Sequence, residues 1–172
     1  MKRNTVSFKP IKSSFLSCDK DTETILKKLF IENQPYSDTL KRLLVIQTKD
    51  CLENNSEKVL NKLQEMNLSK LREEQYIRLE PKIKMSEHEE VKSYIIISFD
   101  NFLPTKTNSP YYRDCLVTFD IICHTDCWDI GNYQLRPVKI AGYIDGILNT
   151  LSNDNKIAWQ NKGNNIKLSG MG

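Results

Sequence analysis

The stretch that most constrains this chain is residues 91–125, VKSYIIISFDNFLPTKTNSPYYRDCLVTFDIICHT. In its second half Cys115, Val117, Phe119, Ile121 and Cys123 alternate with Leu116, Thr118, Asp120, Ile122 and His124. A period of two sends successive side chains to opposite faces of a strand. Residues 94–99 are β-branched and aromatic, as strands favour. The two runs predict a long antiparallel hairpin at the centre of a sheet, with Cys115 and Cys123 packing on its buried face. The connection, residues 103–112, is longer than the usual hairpin turn of about 2–5 residues. Pro104, Lys106 and Asn108-Ser109-Pro110 favour an extended, exposed excursion there.

The chain before the hairpin has a different period. Asp21-Thr22-Glu23-Thr24 is a helix start, and Ile25, Leu26, Leu29 and Phe30 fall on one face. Asn33-Gln34-Pro35 ends that helix, and Ser37 or Asp38 caps a second that turns Leu40, Leu43, Leu44 and Ile46 inward. Residues 43–47 are short enough to read as a strand instead. Asn54-Asn55-Ser56 breaks the chain and caps a third helix, with Val59, Leu60, Leu63 and Met66 as its stripe; residues 68–74 add a further turn. Residues 75–85 return to alternation, and Pro81 marks them as an edge strand. After the hairpin, Leu135-Arg136-Pro137 opens a helix. Ile140, Tyr143, Ile144, Ile147, Leu148 and Leu151 form its core stripe, and Ala141, Gly142 and Gly146 let it approach the sheet. Residues 156–168 alternate loosely, as one or two closing strands. The fold class is α+β: an antiparallel sheet built on the hairpin, a C-terminal amphipathic helix packed on it, and an N-terminal helical segment. Residues 1–20 read as an arm and 21–172 as one domain, with 21–74 its helical extension and 75–172 its sheet-helix core.

Composition narrows function by what it excludes. Charged residues make up 27% of the chain and the net charge is only +3, with Lys and Arg interspersed among Asp and Glu, so no basic stripe marks a dedicated nucleic-acid binder. No apolar run approaches the ~20 residues that span a bilayer, and no apolar segment follows the basic N-terminus as in a secretory signal, so the expected compartment is a cytoplasm. Five irregularly spaced cysteines argue against a disulfide framework.

Chemical constellations are sparse. Cys123, His124 and Cys127, with Cys115 upstream, carry zinc-type ligands, but adjacent residues on a strand point apart, so neither a metal site nor a Cys–His dyad is expected. Glu80-Pro81-Lys82, with Asp100, Asp114 and Asp120, loosely matches a metal-dependent nuclease strand. Tyr111, Tyr112 and Arg113 could stack bases. Nucleotide-binding glycine loops and zincin motifs are lacking, so the expectation is a non-enzyme without cofactor or metal.

The order of elements carries a resemblance. A helical first half leads to a hairpin with a long loop, whose second strand is Asp114 to His124, DCLVTFDIICH. A short turn then enters an amphipathic helix with Ile140, Ile144 and Leu148 at spacing four. From about residue 77 to 168 this resembles the tail-terminator and head-to-tail completion proteins of tailed bacteriophages. The helical residues 21–74 depart from the smaller members. The resemblance implies a virion structural protein, assembled in the host cytoplasm as a six-fold or twelve-fold homo-oligomeric ring between portal or connector and tail, with DNA passing through and no membrane partner. It makes the loop residues Leu103, Pro104, Lys106, Asn108, Pro110, Tyr111 and Tyr112 the candidate subunit interface, with the N-terminal arm and the strand near Pro81 beside them. The competing readings are a nuclease using Glu80, Lys82, Asp100 and Asp120, and a small nucleic-acid-binding module.

Overall fold

The computed structural model describes residues 18–32, 35–79, 91–104 and 113–150. Helix α1, Cys18–Lys27, continues into a π-helical stretch, Lys28–Glu32. Then come α2 (Tyr36–Val45), α3 (Glu57–Glu65), α4 (Leu68–Glu73), β1 (Ile77–Arg78), β2 (Ser93–Pro104), β3 (Arg113–Cys123), a 3-10 turn (Thr125–Cys127) and α5 (Arg136–Thr150). The α+β class holds. The sheet order is β1-β2-β3, with β2 and β3 antiparallel as expected. The expected edge strand is short and runs parallel to β2, so the described sheet is mixed. The expected arm, Pro81 and its surroundings, and the closing strands of residues 156–168 lie outside the described residues.

The apolar stripes read from sequence meet in a single core. Ile25, Leu26, Leu29 and Phe30, then Leu40, Leu43 and Leu44, pack with Ile95, Ile97 and Cys123 from the hairpin and with Ile140, Ile144, Ile147 and Leu148 from α5. Residues 43–45 are helical, not a strand, because the buried residues of α2 keep a helical spacing to the end. That helix starts earlier than expected: Pro35 is its N-cap, and Ser37 lies inside it, buried. Neither α2 nor α3 has a side-chain cap, whereas Asn67 Oδ1 accepts from Lys70 N at 3.0 Å and caps α4. Helix α3 has no buried residue, and its Leu60 is 38% exposed, so it lies against the core and not in it.

Two sequence expectations about packing are corrected. Gly142 and Gly146 do not bring α5 onto the sheet. Both are exposed, and a Cβ added at either would meet nothing within 4 Å. Helical phase explains this: Gly142 is two residues past the buried Ile140, about 200° around the helix. Cys115 is exposed, although its strand parity matches that of buried Cys123, because the core covers only one end of the hairpin.

Candidate functional site

Along the base of the hairpin, Ser93 pairs with Cys123, Ile95 with Ile121 and Ile97 with Phe119, and this face meets the helices. Tyr94 and Ile96, on the other face, are buried as well. Farther along, the burial falls away. Asp100 is exposed, as are Cys115 and, at 53%, Leu116. A β-bulge interrupts the pairing there: Asp100 faces Leu116, but Leu103 faces Asp114, so β2 carries one extra residue. A bulge bends its strand and increases the local twist. The hairpin is therefore anchored at one end and re-aimed at the other. From Ile97 to Pro104 it runs on for roughly 23 Å at about 3.3 Å per residue. Of the interface residues expected from sequence, Leu103 and Pro104 are the last residues of β2, paired with Asp114 and Arg113. Lys106, Asn108, Pro110, Tyr111 and Tyr112 lie outside the described residues.

The sulfur-rich end of β3 is built for packing. Cys123 and Cys127 are buried, and the Cys127 thiol donates to the His124 carbonyl at 3.1 Å. His124 Nδ1 accepts from the Asp126 backbone N–H at 3.3 Å. Burial pushes the Cys123 thiol up to about 11 and raises that of Cys51 too, so neither supplies thiolate at neutral pH. Cys115 is eight residues from Cys123, about 26 Å along the strand. Among the described residues no group of three or more potential ligands gathers to hold a metal ion. Asp100 pairs with Leu116 and Asp120 with Ile96, which spaces the two acids by about four residues, or roughly 13 Å, along the hairpin. One divalent ion does not reach both. Glu80 and Lys82 lie outside the described residues.

What the sequence did not reveal is the buried polar junction at the hairpin base. Arg136 is fully buried at the start of α5. Its Nε donates to the Cys127 carbonyl at 2.6 Å, Nη1 to those of Leu43 at 2.6 Å and Ile46 at 2.7 Å, and Nη2 to that of Thr48 at 2.8 Å. The guanidinium thus serves the carbonyl end of α2, where orphan acceptors and the helix dipole favour a cation. Beside it, Ser93 Oγ donates to Gln47 Oε1 at 2.9 Å and lies 3.3 Å from Cys127 Sγ. One side chain ties α2, the 3-10 turn and α5 together under the first residue of β2. A signal was present in the sequence: Arg136 stands four residues before Ile140, on the apolar stripe itself.

A turn over residues 126–133, with Gly131 in it, is what the sequence leads one to expect before α5, and the structure has it; its backbone is the unexpected part. Gly131, Asn132 and Tyr133 all have positive φ, at 81°, 51° and 59°. Glycine suits such a conformation; a tyrosine there is strained, at a cost of order 1–3 kcal/mol. Tyr133 is nonetheless fully exposed. Gly131-Asn132 was the available sign of a turn, but nothing in it marks the next residue as left-handed.

Among the described residues, no helix is long and apolar enough to cross a membrane. No curated protein and no solved structure matches this chain. The YomW family matches residues 37–170, more than three quarters of the length, beginning inside α2 and taking in the whole hairpin and α5. With that match, under a name of the Bacillus-phage type, the chain belongs to the YomW family and is a phage-associated protein.

Proposed function

We propose that this chain is a virion structural protein that closes into a ring at the head-tail junction or along the tail of a tailed phage, around the channel through which DNA passes. The observation that carries this reading is the hairpin. Its base is welded into the core and Phe99 and Val117 still pack on that core, yet next to them Asp100, Cys115 and Leu116 are exposed where the pairing shifts at a bulge. A lone subunit gains little by building an arm of this kind; a subunit with neighbours gains an interface. Closed rings need heterologous contacts, in which one surface of a subunit meets a different surface of the next. The distal hairpin is one such surface. The order of hairpin, short turn and amphipathic helix supports the same reading, as does membership of a phage-associated family. The nearly balanced charge suits a channel wall past which DNA slides without sticking. The neighbours along the axis are then a portal or connector on one side and tail proteins on the other. The place of assembly is the host cytoplasm and the final location is the virion.

Negative-stain imaging of the purified full chain tests the proposal. It predicts closed rings with six-fold or twelve-fold symmetry. A monomer that cleaves DNA with magnesium, and loses cleavage on Asp120→Ala, overturns it in favour of a nuclease.

A further inference from the structure

We draw no further inference here: the strongest candidate, the groove over the buried Phe30, Met66 and Leu71 between the π-helical stretch and α4, has nothing among the described residues to show what fills it.

Discussion

Replacing Arg136 by methionine removes the centre of the polar junction while keeping much of its volume. The side chain is fully buried and holds four backbone carbonyls at 2.6–2.8 Å. A hydrogen bond to a charged group contributes about 1.5–3 kcal/mol, so simple addition gives some 6–12 kcal/mol. That sum overstates the loss, because the natural protein already bears the cost of desolvating the guanidinium. Leaving the buried carbonyls of Leu43, Ile46, Thr48 and Cys127 without a donor costs about 1–3 kcal/mol for each that water does not reach, a net of about 3–5 kcal/mol after the recovered desolvation. For a domain whose total stability is about 5–15 kcal/mol this is a large share. At about 2–4 °C per kcal/mol for a chain of this length, Tm falls by roughly 6–20 °C. Arg136→Lys keeps the charge but replaces a planar fork with a point donor, and recovers less than half of the loss. Urea unfolding followed by circular dichroism measures this, with the midpoint lowered and the slope m unchanged. A loss under about 1 kcal/mol for Arg136→Met would refute the claim that the guanidinium organises the hairpin base.

Gly142 and Gly146 sit in the interior of α5, exposed and with open space around them. Alanine at either should stabilise the isolated subunit by about 0.5–1 kcal/mol, read as a raised urea midpoint; a lowered one would mean that the helix needs glycine for its own packing. Alkali should weaken the fold. The Cys123 thiol stands at about 11 in the folded chain against an ordinary 9.0. The unfolded chain therefore loses this proton first, so stability is full below about pH 9 and falls as pH rises towards 11, by roughly 2–3 kcal/mol. Urea midpoints at several pH values should show that decline, and Cys123→Ala should flatten it; an unchanged slope in that variant would contradict the assignment.

The fold was legible where periodicity carried it. The apolar spacing of Ile25 to Phe30, of Leu40 to Leu44 and of Ile140 to Leu148 marked the buried faces, and the alternation from Val117 to Cys123 marked the inner face of β3. Failures came where a third dimension decides. Strand parity gives the face of Cys115 but not where the core stops, so a residue on the inward parity is exposed. Small residues near a core stripe suggested close packing, but helical phase sends Gly142 outward. Arginine after a turn reads as surface, and only the approach of the α2 carboxyl end, some ninety residues earlier in the chain, makes Arg136 a buried donor. Tyr133 is conspicuous for its backbone conformation, which composition does not encode. For the interface loop, the expected start is corrected: Leu103 and Pro104 are not loop but the last paired residues of β2, because the pairing resumes beyond the bulge, and the remaining expected residues lie outside the described ones.

The central claim is that the distal hairpin becomes an interface when subunits assemble, and Cys115 reports on it without any substitution. Its thiol is exposed on the distal hairpin, whereas Cys51, Cys123 and Cys127 are buried, and burial with the nearby Asp21 and Asp19 raises the Cys18 thiol. Maleimide labelling read by mass spectrometry, on free subunits and on assembled particles, compares the two states at one residue. The prediction is rapid labelling of Cys115 in the free subunit and strong protection in the particle, with Cys51, Cys123 and Cys127 unreactive in both. Equal labelling of Cys115 in free and assembled chains would contradict the account.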